Sequence, residues 1–144
     1  THYRAVSRRS KRKVCEALKS RGANFLTVVH PSAKMGRNVR LGKGVVLCPR
    51  ATLTCDIEVG AMTMINCHTT IGHDVHIGDW VTISANCDLT GHTEIGEAAY
   101  FGSGARVIPG KKVGACAVVG AGSVVIRDVP EGVSVFGNPA RIFN

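Results

Sequence analysis

A hydrophobic column with a period of six runs through most of this chain. From Met35 onward, every sixth residue is aliphatic or aromatic for sixteen consecutive steps, and glycine directly follows nine of them. A period of six fits neither an α-helix, at 3.6 residues per turn, nor a simple strand, at two. It is the period of a solenoid built from hexapeptides, so we predict an all-β, parallel β-helix. The column is Met35, Leu41, Leu47, Leu53, Val59, Ile65, Ile71, Ile77, Ile83, Leu89, Ile95, Phe101, Val107, Val113, Val119 and Val125.

The other positions of the hexad support the same fold. The fifth position is mostly small or β-branched, with Lys111 as its one charged exception. We expect the first and fifth positions to point inward, and the glycines at the second position to permit a tight turn and a close backbone approach. Three hexads make one coil of a triangular prism. Residues 18 apart in the sequence should therefore stack at ~4.8 Å along the prism axis.

The N-terminal region differs in composition from the repeat. Residues 1–21 carry eight basic side chains and one acidic one, which accounts for most of the net charge of +8. We predict a helix over 7–21, ended by Gly22, and a strand over 24–30. The chain thus divides into a basic helix and strand, residues 1–28, and a β-helix with a C-terminal tail, residues 29–144. A basic segment can bind nucleic acid, but no aromatic side chains are interleaved for base stacking. We expect a solvated helix face and no nucleic-acid partner.

Composition also bears on the compartment. The chain has no run of 18 or more apolar residues, so we expect no membrane span. The basic N-terminus lacks the apolar stretch of a signal peptide. The six cysteines form no CxxC pair and no two are 18 apart, which favours free thiols in a reducing compartment. We predict a cytoplasmic protein.

Several segments resemble known families. The segments VIPGKKVG (107–114), VVGAGSVVIRDVP (118–130) and GNPARI (137–142) resemble the hexapeptide-repeat acyltransferases. FLTVVHPSA (25–33) and INCHTTIGHDVHIGDWVTIS (65–84) resemble, more narrowly, the sialic acid O-acetyltransferases and bacterial nucleotide-sugar N-acetyltransferases. The resemblance covers about residues 22–144.

The resemblance implies a left-handed β-helix, a homotrimer, and acetyl-CoA as the donor of an acetyl group for an amino or hydroxyl group of a sugar or nucleotide-sugar. In that family a small N-terminal α/β domain binds the nucleotide-sugar. The basic helix of this chain resembles only the end of that domain. Either the acceptor differs or the chain is a piece of a longer protein, and the acceptor sugar and the choice between N- and O-acetylation stay open.

His73 is the candidate catalytic residue. It follows Ile71 and Gly72 on a predicted turn, where side chains point outward. The resemblance implies that His73 is the general base and that Asp74 orients its imidazole. Acetyl transfer also needs a hydrogen-bond donor for the developing oxyanion. Stacking brings Gly91 next to His73, and the resemblance implies that the backbone of Gly91 contacts the thioester.

Further residues are candidates for binding. Ala85, Ser103 and Ala121 should stack on another corner, where their small side chains leave a groove for the pantetheine arm. The resemblance places Ser103 and Ala121 along the CoA path. Arg127 is a candidate for the CoA phosphates, as are Lys111, Lys112 and Arg141, although basic residues there are also ordinary surface. The resemblance implies that Asn66 contacts the acceptor, but it could equally cap a turn.

Two other functions compete with acetyl transfer. Gamma-class carbonic anhydrases share the fold and bind zinc through three histidines, two of them five residues apart. His68 and His73 are five apart but in the wrong phase, and Ser32 stands where a third histidine would be needed two coils before His68. We therefore expect no metal, and surface roles for His68, His76 and His92. The flat faces of a solenoid also suit a non-catalytic interaction scaffold.

Overall fold

The computed structural model describes residues 2–143, with side chains from Ser10 onward, and in that range it has one helix followed by nineteen short strands. Arg4, Arg8 and Arg9 of the basic segment are among the residues whose side chains the structure does not describe. The elements are α1 (His2–Ser20), β1 (Val28–Val29), β2 (Lys34–Met35), β3 (Val39–Leu41), β4 (Val46–Leu47), β5 (Thr52–Leu53), β6 (Ile57–Val59), β7 (Met64–Ile65), β8 (Thr70–Ile71), β9 (His76–Ile77), β10 (Thr82–Ile83), β11 (Asp88–Leu89), β12 (Glu94–Ile95), β13 (Tyr100–Phe101), β14 (Arg106–Val107), β15 (Lys112–Val113), β16 (Val118–Val119), β17 (Val124–Val125), β18 (Ser134–Phe136) and β19 (Arg141–Ile142).

The strands form the three faces of a prism. The first sheet orders β1-β4-β7-β10-β13-β16-β18-β19, the second β17-β14-β11-β8-β5-β2, and the third β15-β12-β9-β6-β3. All pairings within them are parallel except that of β18 with β19. Ile71 on β8 lies between Leu53 and Leu89, its counterparts one coil away on either side. This register confirms the predicted all-β fold, a left-handed parallel β-helix of hexapeptides with a short basic helix at its N-terminus.

The core is the hydrophobic column and the fifth positions beside it. From Leu47 to Val125 every column residue is buried. Met35 is 45% exposed because it lies in the first coil, where no earlier coil covers it. Each buried aliphatic side chain contributes about 1.5–3 kcal/mol. Burial of this column therefore stabilises the rod along its whole length.

The turns differ from the expectation for the second-position glycines. Positive φ occurs at the fourth position of the hexad, as at Asp74 (55°) and His92 (58°). The second-position glycines serve close packing instead: a Cβ on Gly72 would lie 2.6 Å from the backbone nitrogen of Gly91. The close approach was predicted correctly, but the left-handed turn lies two residues further on.

The N-terminal helix begins earlier than predicted and ends near the predicted residue. Gly22 has a φ of +87° and donates to the Lys19 carbonyl, while Ala23 donates to Leu18. This pair of bonds is a Schellman C-cap. The predicted strand over 24–30 shrinks to Val28–Val29, which pairs with β4 in the first sheet.

An arginine joins the helix to the solenoid. The guanidinium of Arg12 lies 5.6 Å from the centroid of the Trp80 ring and 2.5 Å from Glu97. Both partners follow strands of the third sheet, so α1 rests on the corner between the third and first sheets. In the described part of the chain, no helix is both long enough and apolar enough to cross a membrane.

Candidate active site

His73 and Asp74 form a hydrogen-bonded pair on an exposed turn. They follow β8 and lead to β9, on the corner between the second and third sheets. His73 Nδ1 lies 2.8 Å from Asp74 Oδ2, and the two side chains are 55% and 48% exposed. Since an ionised carboxylate only accepts hydrogen bonds, Nδ1 carries the proton in this pair. Nε2 is then the unprotonated nitrogen and can accept a proton from a reacting group.

Gly91 lies beside the imidazole on the next coil. A Cβ at Gly91 would lie 2.6 Å from Nε2 and 2.7 Å from Cε1 of His73. The position is therefore open to the ring only because glycine occupies it. The carbonyl of Gly91 accepts from Gly110 at 3.0 Å, and its N–H donates to no backbone group of residues 2–143 and to no side chain from Ser10 onward. An unused backbone donor thus lies beside the candidate base.

His92 joins this pair, although the sequence pattern predicted a surface role for it. Its N–H donates to the His73 carbonyl at 2.9 Å. Its ring meets the His73 ring edge-on, with centroids 4.8 Å apart, and its Nδ1 lies 4.0 Å from Asp74 Oδ2. Only residues 18 apart, which stack directly, were predicted to be neighbours across coils. His92 is 19 residues after His73, so it lies on the next coil and one hexad position further along.

The coil before His73 carries a second carboxylate and a thiol. Asn38 donates from its amide to Asp56 at 2.8 Å, and this bond, followed by one from Cys55, holds the pKa of Asp56 below its usual value. Desolvation, and then the Asp56 neighbour, raises the pKa of the Cys55 thiol. This corner therefore presents a negative charge at Asp56 and a neutral thiol at Cys55.

The candidate CoA-groove residues lie on a different corner. Ala85, Ser103 and Ala121 follow strands of the first sheet, and they stack as predicted: Gly104 donates to Ala85 and the next coil's turn donates to Ser103. Within one chain the structure does not bring Ser103 and Ala121 together with His73.

Asn66 lies on the same corner as the candidate groove, and its side chain already has partners. Its Nδ2 donates to the Ile83 carbonyl at 2.9 Å, and Cys48 Sγ lies 3.8 Å from its Oδ1. The side chain is half-buried. The amide thus bonds to the end of strand β10 on the following coil, and it does not reach His73 within the chain.

Arg127 belongs to the corner of His73, three coils further along. It lines a hollow of 360 Å³ near the C-terminus, together with Arg141, Val135 and Ile142 among others. Lys112, by contrast, is paired with Glu94 at 2.9 Å. Arg127 and Arg141 are therefore the basic residues of the candidate set that share one concave surface.

The other histidines are dispersed over the prism. His68 lies on an exposed turn after the first sheet. His76 projects from the third sheet, 3.7 Å from Glu58. Among the described side chains, from Ser10 to Phe143, the three-histidine arrangement considered for zinc is not formed. The side chains of His73, Asp74 and His92 form a group of three whose donor atoms lie within 4.8 Å of one another.

Comparison with solved structures gives close matches over nearly the whole chain. A histidine-to-asparagine variant of perosamine N-acetyltransferase from Caulobacter crescentus, in complex with CoA and GDP-perosamine, is 35% identical with a TM-score of 0.92 over 95% of this chain. WeeI from Acinetobacter baumannii AYE is 34% identical, with a TM-score of 0.91 over 94% of this chain. The acetyltransferase domain of PglB from Neisseria gonorrhoeae FA1090 is 30% identical, with a TM-score of 0.90 over 94%.

The matches cover only part of each solved chain. This chain spans 65% of the perosamine N-acetyltransferase chain and 66% of the WeeI and PglB chains. The PglB domain has also been solved in complex with acetyl coenzyme A, at 30% identity to this chain. No protein-family model matches the chain, and no curated protein matches it in sequence.

Proposed function

We propose that this chain transfers an acetyl group from acetyl-CoA to a nucleotide-linked sugar. It has the fold and repeat of the hexapeptide-repeat acyltransferases, and among them it resembles the nucleotide-sugar N-acetyltransferases. The acceptor atom is an amino or hydroxyl group of the sugar. The perosamine N-acetyltransferase that it resembles was solved with CoA and GDP-perosamine, and the PglB domain with acetyl coenzyme A. Both complexes support the choice of donor, and the first supports the class of acceptor.

The observation that carries the proposal is the His73–Asp74 pair. Nδ1 is bonded to the carboxylate at 2.8 Å, which fixes the tautomer and leaves Nε2 as the base. The pair is exposed on a turn rather than buried as a structural histidine would be. A histidine held in one tautomer by a carboxylate suits proton transfer near neutral pH.

The proposed reaction follows from these groups. Nε2 of His73 accepts the proton of the acceptor's amino or hydroxyl group as that group attacks the thioester carbonyl carbon. Asp74 stabilises the imidazolium that forms. The N–H of Gly91, which has no partner among residues 2–143, donates to the oxyanion of the tetrahedral intermediate. The imidazolium then returns a proton as the C–S bond breaks, and the products are acetylated sugar and free CoA thiol.

The residues proposed for CoA fit an extended, anionic molecule. Ser103 and Ala121 leave a strip of small side chains exposed along one corner. Arg127 lies three coils from His73, ~14 Å along the prism axis. With Arg141 it lines the hollow near the C-terminus, where two guanidinium groups would bind phosphates. Asn66 remains the candidate contact to the acceptor.

A homotrimer is part of the proposal because one chain separates the two halves of the site. His73 lies between the second and third sheets, and Ser103 between the first and second. A neighbouring copy could bring its Ser103 corner against the His73 corner of the first, in a closed cyclic assembly. The outer face of the first sheet suits such packing. Unlike the charged face of the third sheet, it is mostly apolar: it presents Val46, Met64, Tyr100 and Val118, with the polar Thr82 among them.

The same proposal places the reaction in the cytoplasm, in keeping with six cysteines that are all free. The test is release of free thiol from acetyl-CoA in the presence of a panel of nucleotide-linked amino sugars, nucleotide-linked neutral sugars and free sugars. We expect acceptor-dependent release that falls by about a hundredfold or more in His73→Ala. Thiol release from no acceptor, with no binding of acetyl-CoA in calorimetry, would refute the proposal and favour an interaction scaffold.

A further inference from the structure

The cluster of His73, Asp74 and His92 has a second property that acetyl transfer does not require. Its three donor atoms, one from each side chain, all lie within 4.8 Å of one another. We propose that this cluster binds a divalent transition-metal ion of the zinc type, and that the bound ion inhibits the site by occupying His73.

The distances suit such an ion with little movement. Two ligands at ~2.05 Å in a tetrahedral zinc site are ~3.3 Å apart. His73 Nδ1 lies 2.8 Å from Asp74 Oδ2, and His92 Nδ1 lies 4.0 Å from the same oxygen. These two separations differ from the tetrahedral value by ~0.5 and ~0.7 Å, which small rotations of the side chains can close, and the donor atoms of His73 and His92 lie within 4.8 Å of each other. Two imidazole nitrogens and one carboxylate oxygen form a donor set that favours zinc over magnesium or calcium.

The backbone holds the ligands in place before any ion binds. The His92 N–H donates to the His73 carbonyl at 2.9 Å, so the two histidines are anchored to each other across adjacent coils. Asp74 and His92 both occupy left-handed turn positions, at φ 55° and 58°. Only side-chain torsions remain to be fixed on binding, which lowers the entropic cost of forming the site.

Charge and access also favour a cation. Asp56, on the preceding coil, adds a second carboxylate, whose pKa the Asn38 amide bond lowers. Arg37 is a positive charge nearby, and desolvation raises the pKa of the Cys55 thiol. The three ligand side chains are 55%, 48% and 65% exposed. Their open side leaves room for water as the fourth ligand.

Inhibition follows from which atoms the ion would use. Coordination at Nδ1 of His73 requires the proton on that nitrogen to leave, which breaks the hydrogen bond to Asp74. The neutral, metal-bound imidazole then carries its proton on Nε2, so Nε2 has no lone pair with which to accept a proton from the acceptor. This consequence rests on the proposed acetyl transfer. Metal binding itself does not, because the cluster exists in the chain without either substrate.

The binding test uses the untagged, reduced protein and no acetyl-CoA. Calorimetry with Zn²⁺ should give one site per chain, and His92→Asn should weaken binding by about tenfold or more. Asparagine tolerates the left-handed backbone of position 92, so this variant should fold. His68→Asn is the matched control, since His68 is also exposed, at φ 59°, and its binding should be unchanged. Mg²⁺ should give no heat of specific binding.

Co²⁺ identifies the ligands. Nitrogen and oxygen ligation should give weak visible bands without the near-ultraviolet charge-transfer band of a thiolate. A thiolate band, or zinc affinity that His92→Asn leaves unchanged, overturns the proposal. In the thiol-release assay, the fractional loss of rate on adding zinc should be larger for the wild type than for His92→Asn. Absence of any acetyl transfer would contradict the proposed function alone, since calorimetry decides metal binding independently.

Discussion

The imidazole of His73 lies against the α-carbon of Gly91 on the adjacent coil, so closely that a methyl group at Gly91 would come within 2.6 Å of Nε2. The contact joins the candidate base to the candidate oxyanion donor. Because Gly91 does not have the positive φ that disfavours side chains, alanine suits its backbone. A substitution there tests the position of the ring rather than the stability of the turn.

Gly91→Ala should lower the rate of acetyl transfer by about tenfold or more, since a displaced base loses its alignment with the acceptor. The measurement is kcat/KM for thiol release, with the melting temperature as a check on folding. In a His73→Ala background the same change should have much less effect, because the ring that it displaces is gone. Independent, additive losses would show that Gly91 does not act through His73.

Asp74→Asn should reduce kcat to a value between that of the wild type and that of His73→Ala. Asparagine keeps the side-chain shape and tolerates the left-handed φ of 55°, but it cannot stabilise an imidazolium as a carboxylate does. The loss should be about tenfold to a hundredfold, with little change in KM. A variant as fast as the wild type would remove Asp74 from the mechanism. Asp79→Asn, on an exposed turn of the next corner, is the control.

The period of six was sufficient to predict the fold because each coil repeats the same inward positions. It correctly predicted that the column residues from Leu47 to Val125 are buried. It could not mark Met35 as exposed, since the repeat does not show where a covering coil is missing. The left-handed turn position was also hidden, because it holds residues as different as Met62, Asp74 and Ala98, with no shared chemistry that marks it.

The site was predicted only as far as straight stacking reaches. A spacing of 18 correctly put Gly91 beside His73, but diagonal neighbours have a spacing of 19. His92 reaches His73 in this way. Cys48 and Cys67 are also 19 residues apart. The pKa of the Cys48 thiol is raised mainly by desolvation, and the neighbouring Cys67 raises it further. Side-chain direction on the turn decides these contacts, and a repeat pattern does not contain it.

Thr93→Val should stabilise the protein. Thr93 is fully buried, and its hydroxyl has no hydrogen-bond partner among the described residues. Removing an unsatisfied buried hydroxyl while keeping the shape should raise the free energy of unfolding by about 1 kcal/mol. Denaturant titration measures the change.

The matched control for that substitution is Thr63→Val. Thr63 occupies the same hexad position, but its hydroxyl donates to the Gly78 carbonyl at 2.9 Å and accepts from Val81 at 3.1 Å. Its loss should lower the free energy of unfolding by about 1 kcal/mol. Equal effects of the two substitutions would mean that the Thr93 hydroxyl is satisfied in solution.

The Asn38–Asp56 bond should make stability depend on acid pH. The pKa of Asp56 in the folded protein lies below its usual 3.8, first because of the bond from Asn38. The ionised carboxylate therefore stabilises the fold fully above that usual value, and this contribution is lost as the pH falls through the lower, folded-state value. The stability advantage of the wild type over Asp56→Asn should shrink between about pH 5 and about pH 2. A difference that stays constant over this range would contradict the assignment. The effect should be small, because the pair is on the surface.

Met64→Glu should dissociate the proposed homotrimer. Met64 lies on the outer, mostly apolar face of the first sheet, where it is half-buried within the single chain. A carboxylate at an interface between copies would be desolvated without a partner. Sedimentation should show a smaller species, and acetyl transfer should fall by about tenfold or more, since the proposed site needs corners from two chains. Lys43→Glu places a carboxylate on the exposed corner between the third and first sheets, away from both corners of the proposed site, and should leave the assembly intact. A monomeric Met64→Glu variant with undiminished kcat would show that one chain carries the complete site.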